Sequence, residues 1–307
     1  MRYNRIEGTG LSLSAVALGT WVFGSDHWNG SDEKLCHDAV LAALSAGVNV
    51  IDTAPAYGWG RAEEIVGRAV KGRRQSVIIA DKCGLVNKPD GRVDRNLKPE
   101  SVRAEAERSL KRLGTGYIDI YQLHWPDPDT PLEDTFSELL RLKEEGKIRH
   151  IGVCNFGSEL LKKAFDCGPV FSAQNQFSLL KREEGLDVLP ICREPKTAFF
   201  AYGPLSGGIL SAKYKSAPAL GKSDARRFFY KHYSTGNGAF SAASKTASAL
   251  AALGKGYGAT AAQCAIAWAL AHDGVSSVLC GARSPEQALE NAGAADFNIP
   301  LSAYENI

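Results

Sequence analysis

No two of the seven cysteines, at positions 36, 83, 154, 167, 192, 264 and 280, form a Cys-x-x-Cys pair. An odd, scattered set fits reduced thiols better than a disulfide framework. Charge of one sign is also scarce, because 36 Lys and Arg against 34 Asp and Glu leave a net +2. That balance creates no field for nucleic acid or anionic lipid, so neither is an expected partner. No apolar window is long enough to span a bilayer, and Met1-Arg2-Tyr3-Asn4-Arg5 lacks the apolar stretch of a signal peptide, so the expected location is cytoplasmic. No His, Cys, Asp or Glu set has metal-ligand spacing, and no metal is expected. No Pro/Ser-rich or charged linker divides the 307 residues, which read as one domain, 1–307, whose oligomeric state stays open. A Gly-x-Gly-x-x-Gly loop is missing too. Where an open doubly wound sheet would carry it, after the first strand, stands Leu18-Gly19-Thr20-Trp21.

What is present is an alternation of strand and helix signals. Tyr3 to Leu13 alternates around Gly8 and Gly10 and predicts a small hairpin on a barrel floor, and 15–19 is the first apolar strand. From Asp32, helical spacing carries Leu35, Ala39, Ala42, Ala43 and Ala46, and Gly47 supplies the left-handed stop. Val48, Val50 and Ile51 form a β-branched strand that runs into Asp52, and Pro55 and Gly58 break it before Ala62, Ile65, Val66 and Ala69 resume helical spacing. Residues 76–81 and 117–123 are further strands, separated by a helix with Pro99 in its first turn and Gly114 after it. Thr130-Pro131-Leu132-Glu133 predicts a capping box with proline at the first helical position, and Ser284-Pro285-Glu286-Gln287 predicts the same. Strands at 148–153, 170–174, 197–201 and 275–280, with helices at 158–165, 186–194 and 239–253, complete the pattern. Eight such units point to an α/β fold in which the alternation alone leaves an open doubly wound sheet as an alternative, and with the missing Gly-x-Gly-x-x-Gly loop they predict a single closed (β/α)8 TIM barrel with an N-terminal β-hairpin. The stretch 206–236 is too long for a plain connection and reads as a loop covering a cofactor.

Chemistry in such a barrel belongs at the strand C-termini. Three successive strand ends present Asp52 with Tyr57, then Lys82, then His124. Taken singly, Asp52 reads as a turn acid, Tyr57 as a half-buried surface phenol and His124 as packing, while Lys82 after an apolar run is harder to dismiss. Together, Asp-Thr-Ala-x-x-Tyr-Gly, Lys-Cys-Gly and Gln-Leu-His-Trp-Pro occur in order. They are continued by Gly146-Lys147-Ile148-Arg149-His150-Ile151-Gly152-Val153-Cys154-Asn155-Phe156, Ala201-Tyr202-Gly203-Pro204-Leu205 and Gly281-Ala282-Arg283-Ser284-Pro285-Glu286-Gln287. This set resembles the aldo-keto reductases of the bacterial type across nearly the whole chain, and Asp52, Tyr57, Lys82 and His124 match their catalytic tetrad.

The resemblance implies reduction of aldehydes or ketones with NADPH, NADH being the alternative. A free phenol has a pKa of about 10, and a nearby ammonium is expected to bring it down, which is the role open to Lys82, itself held by Asp52. His124 can donate a hydrogen bond where alkoxide charge develops. No side chain gives hydride, so a nicotinamide must supply it. In similar proteins a Ser-Asn pair and a Gln hold the carboxamide, and the matching positions are Cys154, Asn155 and Gln176. The thiol is a departure, since it is a weak donor. Tyr202 matches the ring-stacking aromatic, Leu205, Gly207 and Leu210 the loop near the pyrophosphate, and Gly281, Arg283, Gln287 and Asn291 the adenosine end. Gly19, Thr20 and Trp21 border the same site at the first strand end.

Gly281 and Ala282 replace the Lys-Ser of some relatives and leave Arg283 as the group to grip a 2′-phosphate. Trp21, Phe23, Trp59 and Trp125 are expected to line a pocket for a small carbonyl or sugar substrate, with Trp28 nearby. Arg226, Arg227, Lys231 and His232 read as a solvated charge run. Two other readings stay open: an NAD-dependent sugar or polyol dehydrogenase, and a cofactor-binding regulatory subunit. The substrate itself is not legible.

Overall fold

The computed structural model describes residues 1–23, 32–88, 92–193, 195–222, 224–231 and 239–307. Trp28, His27, His232 and part of the 206–236 stretch lie outside the described residues. The chain opens with an antiparallel hairpin, β1 (Tyr3–Arg5) and β2 (Ser12–Ser14). Ile6 and Leu13 from this hairpin pack with Ala17, Val50, Ile120 and Phe200, so it closes the interior of the barrel as expected. Next come β3 (Val16–Gly19), α1 (Glu33–Ser45), β4 (Val50–Asp52), α2 (Arg61–Val70) and β5 (Ile78–Cys83). Asp32 caps α1 by accepting the Leu35 N–H, and Gly47 leaves it at φ 86°.

An unanticipated second hairpin, β6 (Leu85–Asn87) and β7 (Val93–Arg95), stands on the loop after β5. Then follow α3 (Pro99–Leu113), β8 (Ile118–Leu123), α4 (Leu132–Glu144), β9 (Ile148–Cys154), α5 (Ser158–Cys167), β10 (Ser172–Gln176), α6 (Glu183–Arg193) and β11 (Ala198–Tyr202). The chain ends through a short α7 (Arg227–Tyr230), α8 (Ala239–Tyr257), α9 (Ala261–Leu270), β12 (Val275–Gly281) and α10 (Pro285–Gly293). The eight parallel strands β3, β4, β5, β8, β9, β10, β11 and β12 close into a barrel, with Gly281 paired to Gly19 across the seam. A second and larger core lies between this barrel and its helices, where α-helical Val66, Leu139, Leu161 and Ile266 meet outward strand residues such as Ile79, Tyr121 and Val153. No helix among the described residues is long and apolar enough to cross a membrane.

Some local expectations are corrected. The box at Thr130 does not form: Pro131 is the cap residue of α4 without a side-chain bond, and the Thr130 hydroxyl donates to Asp127 at 2.7 Å instead. Ser284 does cap α10, accepting the Gln287 N–H. Strand β10 begins two residues later than expected and runs two further, past Gln174 to Asn175 and Gln176, buried polar residues that a hydropathy pattern reads as loop. α9 was not legible as a separate helix because Ala261, Ala262 and Cys264 to Ala269 are buried on all sides, leaving no amphipathic period. Its start is fixed by a Thr260–Gln263 capping box.

Candidate active site

Three strand ends deliver the central groups to one point. β4 ends on Asp52, and the turn behind it brings Tyr57 back over the barrel mouth. β5 pairs with β4 through Ala80 opposite Asp52, which sets Lys82 two residues further toward the mouth. Lys82 is fully buried, and its Nζ donates to Asp52 Oδ1 at 2.6 Å, to the Thr53 carbonyl at 3.0 Å and to the Tyr57 hydroxyl at 3.2 Å. All three of its protons therefore have acceptors, which is what makes a buried ammonium tolerable. His124 follows β8, its N–H bound to the Cys83 carbonyl at 2.9 Å, and its ring stands edge-on to Tyr57 with centroids 5.7 Å apart.

The electrostatics differ from expectation at Tyr57. Burial pushes its phenol above the ordinary value, and the Lys82 charge, while opposing this, does not reverse it. Lys82 itself would be pushed down by burial, but Asp52 and Tyr57 more than offset that and raise it above the usual lysine range. Burial, helped by the Lys82 charge, holds His124 well below the usual imidazole value, so the ring is neutral and offers one N–H. The arrangement is a phenol kept protonated, braced by a fixed cation, beside a neutral hydrogen-bond donor.

These groups stand at the foot of a cavity of about 670 Å³. Its wall includes Asp52, Tyr57, His124, Asn155 and Tyr202, then Leu205 and Gly207, and at the far end Gly281, Arg283, Gln287 and Asn291. Gly19 and Trp21 line it from β3, and Trp59 and Trp125 from the opposite side. Several expected wall residues lie behind it instead. Phe23 is fully buried in the core. Thr20 is fully buried and donates its hydroxyl to the Asp52 carbonyl at 2.9 Å, so it braces the strand end that bears Asp52. Leu210 is buried in the core, with its N–H given to the Leu205 carbonyl at 3.2 Å. Cys154 is 1% exposed, and burial pushes its thiol up.

Gln176 is also off the wall, and Gln174, two residues earlier on the same strand face, is on it. Gln174 Nε2 donates to Asp52 Oδ2 at 2.8 Å, so the second carboxylate oxygen is held from across the barrel. Gln174 and Gln176 share one face of the strand, so the sequence alone does not say which of them reaches the cavity. Asn155, at φ 60°, donates to the His124 carbonyl at 2.9 Å and accepts from the Tyr202 hydroxyl at 2.8 Å.

The stretch after β11 folds over the cavity. Gly207 and Gly208, both at positive φ, turn it in a 3-10 segment, Ser206–Ser211. Arg226 is not part of a solvated run: it forks onto Asp224 at 2.6 and 2.9 Å, reaches the Tyr214 hydroxyl at 3.0 Å, and lines the wall. α7 then sets Phe228 against Trp21 and Trp125, centroids 5.9 and 6.5 Å away, with Phe229 5.8 Å from Trp21. These two phenylalanines were missed because a short, aperiodic loop gives no sign of which way its aromatics turn. Among the described residues no cluster of His, Cys, Asp and Glu could hold a metal ion.

The sequence model of the Aldo/keto reductase family matches residues 15–307. The chain is 38% identical over 296 residues to aldo-keto reductase YhdN of Bacillus subtilis (strain 168), covering 94% of this chain and 86% of that protein. It is 36% identical over 309 residues to the NADH-specific methylglyoxal reductase of Escherichia coli (strain K12), covering 95% and 92%. Among solved structures, the glycerol dehydrogenase AKR11B4 of Gluconobacter oxydans superposes with a TM-score of 0.85 at 34% identity, covering 97% of this chain and 91% of that one. An aldo/keto reductase from Klebsiella pneumoniae in complex with NADP and acetate superposes with a TM-score of 0.76 at 27% identity, covering 100% and 95%.

Proposed function

The chain belongs to the aldo/keto reductase family, and on that premise we propose that it reduces aldehydes or ketones to alcohols with NADPH, Tyr57 acting as general acid. The observation that carries this reading is the Lys82 ammonium held between Asp52 and the Tyr57 hydroxyl at the foot of the cavity. One cavity is lined by Tyr57, by Gly203 and Gly207, and by Arg283 at the entry of α10, the groups that an extended dinucleotide would have to reach. A Cβ on Gly203 would lie 2.6 Å from Phe229 and one on Gly207 3.1 Å from Tyr230, so this turn of the wall has room for glycine alone. Bound there, the reduced nicotinamide supplies hydride.

The protein's own residues supply the rest. Gln174, Asn155 and Tyr202 would bind the nicotinamide end, with Gln174 in the role first expected of Gln176, and Arg283, Gln287 and Asn291 the adenosine end. Of the two groups that line the cavity side by side, His124 would donate a hydrogen bond to a carbonyl oxygen and Tyr57 the proton that completes the alcohol. A phenol raised by burial stays protonated through neutrality, which suits reduction. Lys82 tempers that rise and stabilises the tyrosinate left behind. The aromatic wall of Trp21, Trp125 and Phe228 excludes water from the exchange.

A second reading, an NAD-linked alcohol dehydrogenase, draws on the small Gly281 and Ala282 beside Arg283, on the NADH-specific relative and on the glycerol dehydrogenase neighbour. A screen of carbonyls and polyols with all four nicotinamide cofactors, followed at the reduced nicotinamide absorbance, separates them. Carbonyl reduction fastest with NADPH is expected. Turnover confined to polyols with NAD would favour the second reading, and no turnover at all the regulatory-subunit reading.

A further inference from the structure

Behind β5, on the face away from Lys82, a carboxyl group is buried that the mechanism above does not use. Glu105 of α3 is 3% exposed, and both its oxygens accept the Gly84 N–H, at 3.1 and 3.2 Å. The Ser101 hydroxyl donates to one of the same oxygens at 3.3 Å. Gly84 sits at φ 91°, and a Cβ there would come within 2.3 Å of Leu97 Cδ2, so the backbone at this point is closely confined.

The peptide unit that Glu105 holds is a junction of the active site. Its N–H belongs to Gly84, and its carbonyl, that of Cys83, accepts the His124 N–H at 2.9 Å. Cys83 follows Lys82 directly. One peptide plane therefore ties the strand end that bears Lys82 to the backbone that bears His124, and Glu105 fixes the tilt of that plane from outside the barrel. We propose that Glu105 is a positioning residue for Lys82 and His124, acting through the Cys83–Gly84 peptide, and that its gain or loss of a proton modulates their alignment.

The surroundings make that proton change accessible. Burial pushes the Glu105 carboxyl up to about 7, with the Gly84 N–H, the Ser101 hydroxyl and Arg108 pulling down and Glu63 pushing further up. The other titratable groups nearby are Asp81 and Cys83 on β5 and Tyr121 on β8, and burial pushes all three up. Cys83 and Tyr121 therefore carry no charge at neutral pH. Glu63 on α2 is held by Arg112 at 2.6 Å. Below pH 7 the Gly84 N–H faces a neutral acid, a weaker acceptor than a carboxylate.

This inference rests on the proposed reductase activity for its kinetic arm alone. The first arm needs neither cofactor nor turnover: the backbone amide signals of Gly84 and His124 are followed by NMR from pH 5.5 to 8.5. In the wild type both are expected to shift with a midpoint of about 7, and in Glu105→Gln, which keeps shape and acceptor but cannot ionise, neither should. The second arm is the single-turnover rate of NADPH oxidation by a carbonyl substrate. It is expected to fall roughly 3- to 10-fold below the same midpoint, the difference between a charge-assisted and a neutral hydrogen bond. Glu105→Gln should show the low rate at every pH, with an unchanged KM for the carbonyl. Ser101→Ala removes a donor that favours the ionised form and should move both midpoints to higher pH. A Gly84 and His124 pair that titrates identically in Glu105→Gln, or a midpoint indifferent to Ser101→Ala, would overturn the proposal. A wild type that does not turn over would sink the reductase reading, while the amide titration would still decide the coupling.

Discussion

Two side chains test how far single residues govern the cofactor. Arg283 lies on the cavity wall at the entry of α10, exposed, with its N–H given to Gln287 Oε1 at 3.1 Å. A guanidinium there can form charge-assisted hydrogen bonds to a 2′-phosphate that a 2′-hydroxyl cannot match. Arg283→Ala should weaken NADPH by roughly 1.5 to 3 kcal/mol and leave NADH nearly unchanged. Fluorescence titration with both cofactors checks this, and equal losses would remove Arg283 from the assignment. Cys154 is the opposite case. From the sequence it stands where a hydroxyl would face the carboxamide, but its side chain is buried off the wall. A hydroxyl placed there must be desolvated, so Cys154→Ser should lower the melting temperature without tightening NADPH. Tighter binding by about 0.5 to 1.5 kcal/mol would show instead that the side chain reaches the cofactor. The place of a side chain at the barrel mouth was thus legible where it ends an apolar strand, as at Asp52, Lys82 and His124. It was not legible where the choice lay between neighbours on one face, as with Gln174 and Gln176, or where a second element decides burial, as for Thr20, Phe23 and Leu210.

Between Ser206 and Tyr230 the chain supplies Gly207, Arg226 and Phe228 to the cavity wall. This stretch is tied down by Arg226 and Asp224, which are nearly buried, at 15% and 3% side-chain exposure. The Arg226 hydrogen bonds hold the Asp224 carboxyl below its ordinary value, against burial. The same segment carries Phe228 to Trp21 and Trp125 on the cavity wall, two residues beyond the fork. Asp224→Ala should leave Arg226 without its fork and speed NADPH release about 5- to 30-fold, equivalent to roughly 1 to 2 kcal/mol for a charged hydrogen-bond partner. Stopped-flow displacement measures this, and an unchanged release rate would show that the fork serves stability alone. That a long insertion covers the mouth was readable from its length, because a connection of that size is rarely idle. Its internal fastening and the inward turn of its phenylalanines were not, because they depend on partners from β3 and β8 that no local pattern names. The β6–β7 hairpin escaped for a related reason, its strands being three residues each.

At the scale of the whole molecule, barrel closure turns separate strand ends into one site. Asp52, Lys82, His124 and Gln174 come from β4, β5, the end of β8 and β10, and the contacts among them span as many as 122 residues of sequence. The eightfold alternation made the barrel legible before its closure was seen, since buried parallel strands joined by amphipathic helices have few other arrangements. The state of Tyr57 was not legible. Its burial depends on the walls that Trp21 and the covering loop build, and burial outweighs the Lys82 charge that the sequence displays. Tyr57 and Lys82 are therefore expected to act as one unit for proton transfer. The most direct test is the single-turnover rate of carbonyl reduction in Tyr57→Phe, in Lys82→Met and in the double variant. Tyr57→Phe should lose about 10² to 10⁴ in rate with cofactor affinity nearly intact, Lys82→Met should also be slow, and the double variant should be about as slow as the worse of the two. Losses that multiply, or a Tyr57→Phe protein of wild-type speed, would contradict a shared proton relay.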